Sequence, residues 1–427
     1  MKSVVSFRTS VDRLRFSIRL ATLVGFIVVL AGTGLAQNKL LTIDDLYDPI
    51  KKVDFGKTRP AREWRFVWVN ESEYVRKGDD DRYYRVDATS GSEALVFDPT
   101  QLDQALSPMP GVTLKDREKP RAVTFAPDYR ALICTHEDDL YYWSIDTTSV
   151  RRLTATAGKE EEAQFSPDGR LVAFVRSGNL FVVDLEGKER ALTSDGTAVV
   201  MNGKLDWVYQ EEIYGRGSFR AFWWSADSSR LAFIQLSDEH VPIFPVVDHI
   251  PLEQEVEATR YPRPGDPNPT VRLAVARASG GVRWIDTSKY GETEHLIVNV
   301  AWMPDSARVS YQVQDREQTW LDLNVADAAT GQSKTLFRET SKAWVADNGP
   351  PMWLKDGGFV WLSERSGFGH AYRYRADGTL VGALTTGRWD VRTSYGVDEG
   401  SGSFYFAGTE RSPIGGDIYR VSLDGKG

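Results

Sequence analysis

The sequence predicts an all-β protein built as a β-propeller, and three observations carry that reading. A motif of an aromatic residue, a small residue, Pro or Ala, and Asp recurs along the chain. Each copy is followed by a tight turn and an alternating apolar strand, the period-2 mark of a half-buried strand. The first two copies, at Phe125 and Phe165, are 40 residues apart. Each copy holds four short strands, and a four-strand unit of that length is the period of a propeller blade. A β-sandwich also alternates, but it does not repeat at a fixed interval.

Taken in order, residues 37–63 form a lead-in segment and the propeller occupies residues 64–427. The strand-rich stretch from Trp64 to Phe97 reads as the first blade. The motif then appears as Phe125-Ala126-Pro127-Asp128 and Phe165-Ser166-Pro167-Asp168-Gly169. Later copies are Trp224-Ser225-Ala226-Asp227, Trp302-Met303-Pro304-Asp305 and, more loosely, Trp353-Leu354-Lys355-Asp356-Gly357. Pro presets φ for the turn and Gly accepts a positive φ. A second pattern follows in several copies and closes on Arg152-Leu153-Thr154, Ala191-Leu192-Thr193 and Ala383-Leu384-Thr385. A further blade begins near Tyr405 and runs to Leu423, so about seven blade starts are visible.

Two intervals between copies are too long. Phe165 to Trp224 is 59 residues, and the excess marks an insertion at about 200–222. Trp224 to Trp302 is 78, and the excess is a proline-rich insertion at about 237–270. In repeat proteins such insertions collect on loops of one face, often the binding face.

The formal net charge is −8. The first 36 residues carry five basic groups and one acid, a net of +4, which leaves about −12 on the remainder. A negative body argues against a nucleic-acid surface, which needs a basic patch. Residues 1–36 read as an export signal. A basic stretch ends at Arg19, an apolar run follows, and Gly34 and Ala36 supply the small residues of a cleavage site before Gln37. The alternative is a membrane anchor over residues 20–36, at the short limit for a spanning helix. Either way the body is expected outside the cytoplasm, periplasmic or secreted. The single cysteine, Cys134, sits in an apolar run and reads as a buried small hydrophobe. The five histidines lack metal-ligand spacing, and no metal or other cofactor is expected.

One stretch stands apart: Asp206-Trp207-Val208-Tyr209-Gln210-Glu211-Glu212-Ile213-Tyr214-Gly215. Glu211 and Glu212 are adjacent, and two carboxylates brought together raise each other's pKa unless a cation lies between them. They are either two solvated charges on a surface helix or a waiting site for a cation.

With Phe222-Trp223-Trp224-Ser225 a few residues on, this stretch resembles the dipeptidyl peptidase IV branch of the prolyl oligopeptidase family. The similarity continues at Asn268-Pro269-Thr270-Val271 and, more loosely, along most of residues 37–427. The resemblance implies that the motif sits on a short helix projecting from the propeller. It implies that Glu211 and Glu212 bind the free α-amino group of a peptide substrate. Gln210 stands where many relatives have Glu and lies outside that pair. The resemblance also implies eight blades, an arm at 237–270 that contributes to a homodimer, and a serine peptidase that removes N-terminal dipeptides.

Such a peptidase needs a serine on a Gly-x-Ser-x-Gly turn. The only Gly-x-Ser here is Gly331-Gln332-Ser333, and Thr335 occupies the place of the second glycine. No βαβ alternation of the kind an α/β-hydrolase requires occurs in the chain. An α/β-hydrolase catalytic domain is therefore expected downstream or in trans, and the propeller is expected to be incomplete at its C-terminus. Two other readings stay open: a non-catalytic exported propeller that binds peptides or proteins, and the remnant of a truncated gene.

Overall fold

The computed structural model describes residues 42–48, 66–106, 123–291 and 294–425. The chain divides into two units, Met1–Arg65 and Phe66–Gly427. In the first, the described residues form one short helix, Ile43–Tyr47. Thr42 caps it by accepting from Asp45 N–H, and the Asp45 carboxylate accepts from Thr42 N–H in return. This is the reciprocal capping box. The export signal or anchor of residues 1–36 lies outside the described residues.

The second unit is all-β. Its described residues form seven blade sheets in chain order, spanning residues 66–97, 123–152, 161–191, 200–284, 295–340, 352–383 and 391–422, and a separate two-stranded sheet inserted in the fourth. Within each sheet neighbouring strands are antiparallel and follow one another in sequence, apart from the insertions of the fourth. First strands of adjacent blades lie side by side. The Thr124 hydroxyl donates to Ala163 O at 3.5 Å, and Trp302 Nε1 donates to Trp223 O at 2.8 Å. The first strands therefore line the axis, and the fourth strands, such as Ser149–Arg152 and Leu380–Ala383, are exposed at the rim.

Hydrophobic cores lie between successive blades rather than within them, because a twisted sheet has two faces and packs them against its neighbours in the series. Phe97, Cys134 and Trp143 join the first blade to the second. Ile133, Phe165 and Phe174 join the second to the third, and Val175, Phe222 and Phe233 join the third to the fourth. Phe359, Trp361 and Tyr311 belong to a larger core spanning the fourth to sixth blades, and Val360, Phe404 and Phe406 join the sixth to the seventh.

The repeated sequence patterns have repeated structural causes. In the turn at Ser166, the hydroxyl donates to Asp168 Oδ1 at 2.6 Å while Arg170 N–H donates to the same oxygen at 3.1 Å. Ser225 and Asp227 repeat this, with Ser229 N–H at 3.0 Å. The left-handed position after Asp is Gly169 in one copy and Tyr129, Ser228 and Ser306 in others. The Leu-Thr ending is a clasp. The hydroxyls of Thr154, Thr193 and Thr385 accept from the backbone N–H of Leu140, Leu180 and Ala371 at 2.8, 3.0 and 3.0 Å. Each clasp ties the end of a fourth strand to the start of the third.

The seventh blade starts at Val391–Asp398, earlier than the expected start at Tyr405. Two register shifts, between Val391 and Thr393 and between Ser394 and Gly396, break that strand's alternation and hide it from a period-2 reading. An eighth blade, implied by the resemblance, is not among the described residues. Ser333 begins an eight-residue strand after the turn at Gly331, whose φ is 77°, so Gly331-Gln332-Ser333 is a hairpin.

Candidate functional site

The first strand of the fourth blade is in two pieces. Val200–Asn202 pairs with residues 235–237 of the strand Arg230–Ser237, and Phe222–Trp224 pairs with residues 231–233 of the same strand. Between them the chain leaves the sheet as a neck closed by antiparallel bonds. Ala221 N–H donates to Gly203 O at 2.9 Å and Leu205 N–H to Phe219 O at 2.8 Å. Gly203 makes the sharp exit with φ at 82°, and a side chain there would meet Phe222 and Leu180. Because first strands line the axis, the excursion of residues 203–221 starts from the channel wall.

The excursion carries the 206–215 motif. Asp206 Oδ1 accepts from Tyr209 N–H at 3.0 Å and starts a short helix whose later part, Tyr209–Ile213, is a π-helical turn. Tyr214 N–H reaches back to Tyr209 O at 2.8 Å, the i to i+5 bond of that turn. A π turn is wider than an α turn, so adjacent side chains diverge less. Tyr209 is fully buried, and the Tyr214 hydroxyl donates to Ile297 O in the first strand of the fifth blade at 3.2 Å. Both phenols are held protonated by burial, well above the ordinary value. The Asp206 carboxyl is also buried, which pushes its pKa up to about 6.

Glu211 and Glu212 follow on this turn, and the structure gives them different surroundings. Arg216 Nε donates to Glu211 Oε1 at 2.7 Å and to Oε2 at 3.0 Å, and a second guanidinium nitrogen also donates to Oε1. Glu212 is exposed and has no hydrogen bond or ion pair among the described residues. The Arg216 pKa is raised by the Glu211 hydrogen bonds first, then by the charge of Glu211 and of Glu212. A cation from the chain itself thus lies on Glu211, and Glu212 is left without one. Gln210 faces inward and its Oε1 accepts from Gly217 N–H at 2.6 Å, which pins the loop after the turn.

Sequence reasoning missed Arg216. Its one local signal is the run Gly215-Arg216-Gly217, a cation between two residues of positive φ just after an acidic pair. The neck is basic as well. Lys204 Nζ donates to Glu161 Oε2 at 2.8 Å, and burial lowers the pKa of Arg220, opposed by the charge of Glu162. No group of three or more His, Cys, Asp or Glu side chains able to hold a metal occurs among the described residues.

The second insertion is a two-stranded arm, Ile243–Asp248 paired with Glu255–Arg260. It leaves the fourth blade between Arg230–Ser237 and Thr270–Arg277, and Ile243, Val246, Ile250, Leu252 and Val256 are exposed on it.

Seven radial sheets, with an acidic excursion breaking a channel-lining strand, define a β-propeller whose two insertions leave the same blade. Residues 152–427 match the family described as the dipeptidyl peptidase IV (DPP IV) N-terminal region, and the chain belongs to it. It is 29% identical over 282 residues to a probable dipeptidyl peptidase 4 of Aspergillus clavatus, covering 62% of this chain and 36% of that protein. It is 25% identical over 401 residues to the inactive dipeptidyl peptidase 10 of Rattus norvegicus, covering 87% of this chain and 48% of that one. The fold resembles the crystal structure of Porphyromonas gingivalis dipeptidyl peptidase 4, with a TM-score of 0.74 at 24% identity, over 91% of this chain and 55% of that one. The chain thus spans about half or less of the length of these relatives.

Proposed function

We propose that the chain is the substrate-recognising propeller of an exported serine exopeptidase that removes N-terminal dipeptides. The observation that carries this is the acidic pair itself: Glu211 and Glu212, adjacent on a π-helical turn, on an excursion from the channel wall, with a cation already seated on Glu211. A peptide α-ammonium offers three donors and one positive charge to such a pair. Charge-assisted bonds of this kind contribute about 1.5–3 kcal/mol each. Holding the amine at one point sets the distance to the bond that is cut. The nucleophile comes from an α/β-hydrolase domain, downstream or in trans, since no Gly-x-Ser-x-Gly occurs in these 427 residues. The similarity to proteins named dipeptidyl peptidases supports the substrate class.

The test is calorimetric titration of the chain with a short free-amine peptide and with its N-acetyl form. The free-amine peptide binds more tightly, Glu212→Ala removes most of the difference, and binding weakens above about pH 8, where the α-amino group loses its proton. Equal affinity for the two forms refutes the reading.

A second reading is a binding propeller without catalysis. The relative named inactive dipeptidyl peptidase 10, matched over 87% of this chain, favours it. A hydrolysis assay on the chain combined with its hydrolase domain separates the two. The exposed apolar residues of the arm support a homodimer through residues 243–260, tested by sedimentation of the chain and of a Val246→Glu, Val256→Glu double variant.

A further inference from the structure

We propose that Arg216 is a built-in, displaceable counter-ion of the amine site. It occupies on Glu211 the place a substrate α-ammonium takes, and it must swing away before both carboxylates can engage the substrate. This rests on the amine-binding reading of Glu211 and Glu212.

Three observations carry it. The first is chemical identity of role. A guanidinium and an ammonium are both cationic donors, and Arg216 uses both oxygens of Glu211. With Arg216 seated, Glu211 has no oxygen free of a cation, while Glu212 remains open. The three groups together carry one net negative charge, enough for one incoming monocation.

The second is accessibility. The Arg216 side chain is 84% exposed while that of Glu211 is 15% exposed. The carboxylate is thus sheltered and fixed, and the guanidinium reaches it from the water side. Leaving costs Arg216 almost no desolvation, because its head is already hydrated. A pair whose guanidinium is this exposed is weak, weaker than the charge-assisted bonds a substrate amine forms with two carboxylates.

The third is the hinge. Gly215 and Gly217 flank Arg216 with φ at 93° and 86°, and a Cβ at either position would meet nothing within 4 Å. The loop has space on both sides of the arginine. Its backbone is anchored at Gly217 N–H on Gln210 Oε1 and at Ser218 N–H on Gly215 O, 2.6 and 2.9 Å. The arginine side chain can therefore rotate out while the excursion keeps its shape. The same anchor assigns Gln210 a part: its amide oxygen holds the loop that presents the arginine.

Arg216 would then set a threshold. Every amine that engages both carboxylates binds about 2- to 5-fold more weakly than it would without the arginine, and a peptide's other contacts offset that loss where a simple cation has none.

The experiment uses the full chain and the tripeptide Ala-Pro-Ala, free and N-acetylated. Arg216→Ala and Arg216→Gln each raise the affinity for the free-amine peptide by about 2- to 5-fold, the size of an exposed ion pair. The N-acetylated peptide is unaffected. The gain shrinks in high salt, which screens the pair, and it vanishes in the Glu211→Ala background, where Arg216 has no partner to leave. If both variants bind the free peptide equally well or more weakly than the parent, while the free form still binds better than the acetylated one, Arg216 is a positioning residue and the displacement idea is wrong. If free and acetylated peptides bind alike in parent and variants, the amine-binding reading fails and takes this inference with it.

Discussion

The Trp207 and Tyr261 rings lie 4.7 Å apart at 59°, and this contact joins the two insertions of the fourth blade. Trp207 belongs to the excursion that carries Glu211 and Glu212. Tyr261 follows the arm strand Glu255–Arg260, with its N–H bonded to Pro242 O at 3.0 Å, and its ring lies 6.0 Å from Phe244. A tilted aromatic pair at this separation contributes about 0.5–1.5 kcal/mol beyond its buried area.

The two insertions should therefore be energetically coupled. A double-mutant cycle of Trp207→Ala and Tyr261→Ala in urea unfolding should give a coupling energy of about 1 kcal/mol. Strict additivity would mean that the arm and the excursion are independent and that events at the arm cannot reach the acidic pair by this route.

Asp206 sets a pH dependence whose sign is opposite to that of a salt-bridged carboxylate. Burial, together with the charge of Asp238, outweighs the backbone N–H groups that favour its ionised form, and its pKa is pushed up to about 6. The folded state then holds a proton more tightly than the unfolded state does. Its stabilising effect is full below about pH 4 and is lost as pH rises through about 6, costing about 3 kcal/mol by pH 7. Asp206→Asn keeps an oxygen for Tyr209 N–H and removes the titration. Urea unfolding from pH 4 to 7 should show the parent losing stability relative to Asp206→Asn. Parallel curves would mean that Asp206 titrates normally.

The Leu-Thr clasps should be worth more as hydrogen bonds than as packing. Thr154 is buried and accepts from Leu140 N–H at 2.8 Å. Thr154→Val preserves shape but leaves that N–H without its hydroxyl partner, at a cost of about 1–3 kcal/mol. Thr154→Ser should retain most of the stability in the same unfolding assay. An equal loss in the two variants would assign the effect to the methyl group.

The blades were legible in the sequence because their causes are local. The Asp of each turn acts on an N–H two residues on, as Asp168 does on Arg170, and strand alternation follows from the pleat. Where local regularity fails, the reading failed too: the bulges in Val391–Asp398 scramble the alternation, and the seventh blade was placed too late. The acidic pair was visible because Glu211 and Glu212 are neighbours in the chain. What surrounds them was not. That Val200–Asn202 and Phe222–Trp224 are halves of one strand is decided by their shared partner, residues 231–237. That Arg216 lies on Glu211 depends on a π turn and two glycines that bring the loop back, and that Trp207 meets Tyr261 depends on two insertions leaving the same blade. Sequence alone determined which residues carry charge and which segments alternate, since both are properties of short stretches. The tertiary structure decided which charge meets which, because that is set by distances across the fold that no short stretch encodes.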